Sequence, residues 1–280
     1  MSKVLVTGGN GYIGKYVVRE LLSQGHHVIV SDIDSTGIPS EAEFTDVSIF
    51  SGDADIYKKL GSPDICIHLA WKDGFVHNSA AHMKYLSSHI RFCEDMMAGG
   101  LPILSCMGTM HEVGYWEGAI DENTPCAPQT QYGIAKNAMR QSLMLSSAST
   151  NCVFHWLRAY YIVCDDEKGN NIFAKIIQAA KSGAEKFPFT SGKNMYEFIE
   201  IHDLAKLITA ASVQTEICGI TNVCTGEPES LASCIERFIK EHGLNIKLAY
   251  GEYPDRPYDS PGAWGSSEKI ERILKGENAK

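Results

Sequence analysis

The sequence predicts an α/β fold, a doubly wound parallel sheet with a smaller C-terminal α/β cap. Three observations predict it. Short apolar runs alternate with longer stretches of helical periodicity from the N-terminus to about Tyr160. The first apolar run, Val4-Leu5-Val6, feeds the stretch Gly8-Gly9-Asn10-Gly11-Tyr12-Ile13-Gly14. A strand, a glycine loop and an amphipathic helix in that order open a βαβ unit. Beyond Tyr160 the alternation loosens, which sets the remainder apart from the sheet-forming part.

Each element follows from its own pattern. Val4–Val6 is the first strand. Tyr12–Gln24 reads as a helix, with Ile13, Val17 and Leu21 on one face and Gly25 ending it. His27–Ser31 is the second strand and Glu41–Phe44 a short third. Ile56–Leu60 is helical and Asp64–Ala70 is a buried strand. A long helix runs from about Ala80 to Met97, before the strand Ile103–Met107. Thr109 to Gln129 is polar and contains Gly and Pro, so it reads as irregular. Tyr132–Ser147 is the next helix and Cys152–Leu157 the next strand. Such alternation implies a parallel sheet covered by helices on both faces. Further on come a helix at Ile172–Lys181, a short strand at Glu197–Ile201, a helix at Asp203–Ser212 and a strand at Thr221–Thr225. Leu231–His242 is a helix with Ile235, Phe238 and Ile239 apolar. Residues 251–265 are rich in Pro, Gly, Asp and Tyr and read as a loop. The chain shows no internal repeat and no low-complexity segment.

Composition narrows the function classes. A chain of 280 residues can bury a large core. The formal charge of −9 argues against electrostatic binding of nucleic acid, which needs a basic face. No apolar run approaches the roughly 18 residues of a membrane span, and the N-terminus enters a strand without a signal-peptide layout. The nine cysteines stand singly, mostly in apolar surroundings (Cys66, Cys93, Cys106, Cys152, Cys224), with no C-x-x-C pair. They read as reduced and buried in a cytoplasmic protein. No His, Cys or carboxylate spacing suggests a metal, so none is expected.

The glycine stretch carries the first chemistry. Gly9, Gly11 and Gly14 fit G-x-G-x-x-G, and Gly8, Gly11 and Gly14 fit G-x-x-G-x-x-G. Glycine admits positive φ and lets backbone N–H groups approach a pyrophosphate, and the helix behind adds partial positive charge. Asp32 closes the second strand 18 residues after Gly14. A carboxylate there suits both ribose hydroxyls of an adenosine and repels a 2′-phosphate. Asp34 adds negative field, and no Arg or Lys lies between Arg19 and Lys58. NAD is therefore expected over NADP; the plain alternative is that Asp32 is only a strand-end turn residue. The second signal is Tyr132-Gly-Ile-Ala-Lys136, whose spacing of four puts both side chains on one helix face. A nearby ammonium stabilises a phenolate, so the tyrosine can exchange a proton with an alcohol or ketone. Alone, such a pair reads as an ordinary surface Tyr and Lys.

Together these residues resemble the extended short-chain dehydrogenase/reductase family, the sugar-nucleotide epimerases, dehydratases and reductases. The resemblance runs through Thr7–Gly14, Asp32, His68-Leu69-Ala70, Tyr132 with Lys136, Leu157-Arg158, His202-Asp203-Leu204 and Arg256. It implies a Rossmann domain over residues 1–159, with segments near 196–225 returning to it, and a mainly substrate-binding cap over 160–280. It implies a catalytic Ser or Thr after the fifth strand. Anchoring on Gly114 selects Thr109, with Ser105 as the alternative; Val113 stands where the family has a tyrosine. It places the cofactor against Gly8, Gly11, Tyr12, Ile13, Gly14, Asp32 and Ile33. An acid and an apolar residue near the adenine fall on Asp46-Val47, with Asp53 second. Leu69, Ala70 and Trp71 border the nicotinamide half, although Trp71 also reads as core, and Tyr160 lies near the expected nicotinamide contact.

On the substrate side the resemblance points to Thr109, His111, Tyr161 and Arg256. Tyr161 stands where the family often has Asn, and Tyr196 where it often has Arg. Arg256 matches a late arginine that grips a diphosphate, or is an exposed loop residue. His111 and Glu112 line the sugar pocket or form an ordinary polar loop. The implied activity is NAD-dependent hydride transfer at C4 of a nucleotide-linked hexose or 4-keto-6-deoxyhexose. Tyr132 serves as acid/base, Lys136 lowers its pKa and holds a cofactor ribose, so that both also border the cofactor, and Thr109 orients the sugar oxygen. A redox-neutral 4-epimerase would use the same residues. A dehydratase would carry an acid pair that Thr109-Met110-His111 lacks. A non-catalytic dinucleotide sensor would not need Tyr132, Lys136 and Thr109. The helices near 80–97 and 132–147 resemble the family's dimerisation pair, so a homodimer is expected.

Overall fold

The computed structural model describes residues 1–167, 169, 171–255 and 260–277. β1 (Lys3–Thr7) leads through the glycine stretch into α1 (Gly14–Ser23), followed by β2 (His27–Ser31), β3 (Glu43–Thr45), the short α2 (Ile56–Lys59), β4 (Ile65–His68) and the long α3 (Ala81–Ala98). β5 (Ile103–Thr109) runs into one tight 3₁₀ turn at Met110–Glu112. β6 (Gly118–Ile120), α4 (Gln131–Ser147) and β7 (Val153–Ala159) come next. The remaining elements are β8 (Tyr161–Val163), α5 (Ile172–Lys181), β9 (Lys186–Phe189), β10 (Met195–Glu200), α6 (Ile201–Ser212), β11 (Gly219–Asn222), β12 (Pro228–Ser230), α7 (Leu231–Glu241), β13 (Lys247–Tyr250), β14 (Gly262–Gly265) and α8 (Glu268–Leu274).

Seven parallel strands form the main sheet in the order β11-β7-β5-β4-β1-β2-β3. The chain starts in the middle and winds outward in both directions, as expected for a Rossmann fold. The winding reverses between β1 and β4. In such sheets a crevice opens beyond the carboxyl ends of the strands at that point, and here Gly8 follows β1 and Leu69-Ala70-Trp71 follow β4.

Strand parity builds the two helical layers. Alternate strand side chains face opposite sides. Val4 and Val6 of β1 enter one core with Val17, Val18 and Leu21 of α1 and Leu204, Ala205 and Ile208 of α6. Leu5 enters the other, with Phe92, Cys93 and Met96 of α3 and Met139 and Leu143 of α4. Each fully buried aliphatic side chain contributes about 1.5–3 kcal/mol, so the apolar alternation is enough to set which helices lie on which face.

A second sheet, in the order β12-β10-β14-β6 with β8 beside β10, packs on a separate core that includes Phe173, Ile177, Phe198, Ile235 and Phe238. β13 and β9 form a two-stranded parallel pair. Although β11 and α6 come late in sequence, β11 pairs with β7 and α6 shares the core of α1.

The long elements lie where their periodicity puts them, and several details differ. The first helix starts at Gly14 rather than Tyr12, because residues 8–13 are spent on the loop. The third strand is Glu43–Thr45, slightly later than Glu41–Phe44. Part of the expected loop 251–265 is a strand: Gly262–Gly265 pairs with both β10 and β6. Gly-Ala-Trp-Gly has no strand pattern of its own, so this strand exists through its neighbours. β6, β8, β9, β12, β13 and α8 likewise lack a sequence signal.

Candidate active site

Close packing makes the glycine loop. Gly8 has φ +70°, and a Cβ there would come within 2.7 Å of the Ala70 backbone. A Cβ on Gly14 would reach 2.1 Å from the Gly8 carbonyl oxygen. Side chains are therefore excluded where the loop turns against β4 and into α1, and backbone lines the cradle. Asp32 follows β2 and reaches this loop. Its Oδ2 accepts from Asn10 N at 2.9 Å and its Oδ1 from Ile33 N at 2.7 Å. Each carboxylate oxygen has acceptor capacity left for a ribose hydroxyl. Ile33 is fully exposed beside it. This cradle fits a dinucleotide with a free adenosine 2′-hydroxyl.

The two acids considered for the adenine side differ in their surroundings. Asp53 is occupied by Lys59 and by the backbone N–H of Asp55 at the start of α2. Asp46 is exposed just past β3. Val47 beside it lies against the α3 side of the core, and its carbonyl accepts from Ser31 Oγ at 3.4 Å.

Thr109, Tyr132 and Lys136 meet at the carboxyl end of β5. Thr109 is the last residue of that strand, and its hydroxyl caps the 110–112 turn by accepting from His111 N at 3.3 Å. Ser105, the alternative for this role, lies fully buried in mid-strand between its register partners Ile67 and His155. Tyr132 stands in the first turn of α4, which Thr130 caps through Gly133 N at 3.1 Å. Its phenol is pushed up to about 12, mainly by burial; hydrogen bonding with Thr109 pulls it down and the Glu112 charge adds to the rise. One turn on, Lys136 Nζ donates to Met107 O at 2.8 Å and lies 6.0 Å from the Tyr132 ring centre. Burial drives the ammonium down to about 8 despite the opposing pull of Cys106, Glu112 and Cys93.

Sequence reasoning named Trp71 and His111 near these groups but missed His77 and His82. Trp71 lies under Lys136, with Nζ 3.8 Å from the ring centroid, and rings of His77, His82 and His111 stand 5.6, 5.3 and 6.2 Å from Tyr132. The spacing of His82 and His89, seven residues apart on one helix, was the available signal. Glu112 does not line a sugar pocket. It is fully buried, accepting from Arg158 Nε at 2.7 Å and from Trp156 Nε1 at 2.8 Å. Two donors on β7 thus pin the turn that carries Thr109.

The remaining expectations divide. Leu69 and Ala70 sit half-buried at the crevice beside Gly8. Tyr12 is half-buried over the loop, hydrogen-bonded by Asn171 Nδ2 at 3.0 Å and edge-on to Phe75; Ile13 lies beside it against the α1 core. Tyr160 is a correction. Its side chain is buried with Val113, Ile120 and Cys224, and its hydroxyl donates to Asn222 Oδ1 at 3.1 Å. It joins the two sheets and offers no side chain to a nicotinamide. His111 is half-buried with its ring 4.3 Å from that of His77. Tyr161 lies on β8 with its ring 4.7 Å from Tyr196. Arg256 lies outside the described residues. Among the described residues no His, Cys or carboxylate group is gathered as for a metal, and no helix is long and apolar enough to cross a membrane.

With this geometry in place, similarity to known proteins is extensive. Residues 4–224 match the NAD dependent epimerase/dehydratase family. A dTDP-6-deoxy-L-talose 4-dehydrogenase (NAD(+)) of Aggregatibacter actinomycetemcomitans is 41% identical over 270 residues, covering 94% of this chain and 99% of that one. A UDP-glucose 4-epimerase of Neisseria meningitidis serogroup B is 25% identical over 289 residues, covering 88% of this chain and 84% of that one. The crystal structure of a Thermus thermophilus UDP-glucose 4-epimerase in complex with NAD superposes with a TM-score of 0.81 at 20% identity. The match covers 99% of this chain and 94% of that one, a likeness of fold.

The buried ammonium sets a testable balance between stability and chemistry. In the unfolded chain Lys136 titrates near 10.5, and in the folded chain near 8. Between those values the unfolded state holds more protons, so this residue makes stability rise with pH across that window. Below it the native state carries the full cost, up to about 3 kcal/mol. Lys136→Met is expected to raise the urea midpoint at neutral pH and to flatten the alkaline rise. A midpoint equal to or below wild type at neutral pH contradicts this.

Proposed function

Because the chain belongs to the NAD dependent epimerase/dehydratase family, we propose that it interconverts an alcohol and a ketone at C4 of a dTDP-linked 6-deoxyhexose, with Tyr132 as the proton-transfer group. The chain is an NAD-dependent enzyme of the nucleotide-sugar epimerase and dehydrogenase type. The observation that carries the finer reading is the meeting of Thr109, Tyr132 and Lys136 beside the crevice that the glycine loop borders. Full-length similarity to a dTDP-6-deoxy-L-talose 4-dehydrogenase supports the sugar class.

Bound NAD supplies the hydride acceptor, or as NADH the donor. The protein's part is proton transfer and orientation. Tyr132 takes the proton of the C4 hydroxyl in oxidation and returns it to the carbonyl oxygen in reduction. Thr109 hydrogen-bonds the same oxygen and holds it towards the phenol. The Lys136 ammonium stabilises the phenolate, whose formation burial otherwise opposes. Asp32 receives the adenosine ribose. His111 and Tyr161 are assigned to the sugar side, and Arg256 to the diphosphate.

Redox-neutral 4-epimerisation is the second reading, favoured by similarity to UDP-glucose 4-epimerases. Near-ultraviolet absorbance separates the two, since net dehydrogenation releases NADH and epimerisation leaves none in solution.

We also place the protein in the cytoplasm as a homodimer. All nine cysteines are free, as a reducing compartment allows. The outer faces of α3 and α4 expose Met83, Ile134 and Leu145, the last at 78%, an apolar surface that a second copy would cover.

Three outcomes are expected. Tyr132→Phe lowers kcat by about 10²–10⁴-fold while NAD still binds; unchanged turnover of the dTDP-sugar removes the assignment. Asp32→Ala raises the NADP to NAD efficiency ratio by about tenfold or more, read from initial rates with each cofactor. Sedimentation at micromolar concentration gives twice the chain mass, and a monomer there excludes the dimer.

A further inference from the structure

We infer that Trp71, held in place by His82 and His89, is a positioning residue that acts on the reaction through Lys136. The inference rests on Lys136 being the lysine of the proposed chemistry. Its ground is a continuous set of contacts that meets the Thr109, Tyr132 and Lys136 group most closely at the Lys136 ammonium and, more loosely, edge-on at the Tyr132 ring, 6.2 Å away.

Lys136 Nζ sits 3.8 Å from the centroid of the Trp71 indole. A desolvated ammonium on an indole face is attracted by the ring quadrupole, most strongly for tryptophan. Trp71 follows β4 at the start of the connection to α3 and packs at the edge of the core on that side. Two histidines of α3 fix its orientation. Its Nε1–H donates to His82 Nδ1 at 3.0 Å, and its face stacks on His89 with centroids 4.4 Å apart and planes 21° from parallel.

Hydrogen-bond chemistry makes this support specific. Indole nitrogen only donates, so His82 Nδ1 must be the unprotonated nitrogen. His82 Nε2 then carries the proton and donates to Val76 O at 2.9 Å, and a single neutral tautomer satisfies both contacts. His89 Nδ1 meets His68 Nε2 at 2.9 Å, and His68 Nδ1 meets Thr7 Oγ1 at 2.7 Å. Burial keeps both rings neutral, with His89 driven down to about 3. Thr7 immediately precedes Gly8. The support therefore runs from the strand that carries the glycine loop, through His68, His89 and Trp71, to the ammonium.

Two measurements on the full-length protein test the inference. In single-turnover hydride transfer with NAD and dTDP-6-deoxy-L-talose, Trp71→Leu lowers the rate about tenfold, with KM for the sugar changed by less than about twofold. Trp71→Phe, which keeps a ring face, restores most of the loss. His82→Phe costs roughly three- to tenfold, and His82→Gln, which keeps an acceptor, restores it. In a Lys136→Met background Trp71→Leu causes no further loss. An equal loss in that background overturns the inference, because a purely structural tryptophan acts whether or not the lysine is present. The second measurement needs no turnover. In protein labelled with ¹³C at lysine ε-carbons, the Lys136 ε-methylene protons are expected upfield of the other lysines through the indole ring current. They move back in Trp71→Leu and part of the way in His82→Phe. An unshifted Lys136 signal in wild type overturns the inference. Absence of turnover with the dTDP-sugar defeats the functional reading instead and leaves the lysine spectrum to decide this one.

Discussion

The Glu112 carboxylate is the contact on which the site's geometry depends. It is a fully buried charge, and Arg158 Nε and Trp156 Nε1 answer it from β7. Removing one partner of such a pair leaves an uncompensated charge and costs about 3–5 kcal/mol. Because Glu112 closes the turn that Thr109 opens, the clamp sets where β5 stops. The start of α4 rests on that turn: a Cβ on Gly133 would come within 2.3 Å of the His111 carbonyl oxygen. Tyr132 and Lys136 inherit their places from this contact. Arg158 also donates to Asp121 O at 2.9 Å, just past β6, so the same clamp ties the second sheet to the first.

Around this anchor the protein accepts unfavourable burial in order to hold chemistry in place. Lys136 is 4% exposed, and Thr109 and Glu112 are buried beside it. An ammonium in such surroundings is costly by itself, yet a neutral lysine could not stabilise a phenolate. Met107 O and the Trp71 face offset part of that cost. His68 and His89 next to them stay neutral, which avoids adding positive charge beside the ammonium. The family fold supplies the crevice. The polar interior of β4, β5, α3 and α4 forms one wall of that crevice, the wall to which proton transfer is assigned.

Much of the main sheet was legible in the sequence because parallel strands buried on both faces read as continuous apolar runs. Val4–Val6, His27–Ser31 and Cys152–Leu157 carry that signal, and the amphipathic helices between them carry the complementary one. The glycine loop and the position of Asp32 at the end of β2 were legible because they are local: positive φ, close approach and a strand end need no distant partner. The short strands of the cap were not legible. Gly262–Gly265 and Gly118–Ile120 have no alternation to read and are strands through their neighbours: Gly118–Ile120 pairs with Gly262–Gly265, which pairs in turn with Met195–Glu200. Among candidate site residues, Thr109 was preferred to Ser105 by its spacing from Gly114, and only the structure showed that Thr109 ends the strand while Ser105 is buried within it. Glu112 and Tyr160 were misplaced because a polar or aromatic residue near a cleft looks the same in sequence whether it faces the cleft or the core.

By itself the sequence determined the winding of the sheet, the dinucleotide cradle with its acid, and the tyrosine and lysine four residues apart on one helix face. Those properties follow from periodicity and short spacing, which the chain carries locally. Only the tertiary structure decided that Glu112 is a buried clamp, that Tyr160 seals the two sheets together, and that Trp71 with two histidines of α3 lies under Lys136. Each of these joins residues far apart in the chain, and their partners are chosen by packing against surfaces that exist only once the sheet has formed.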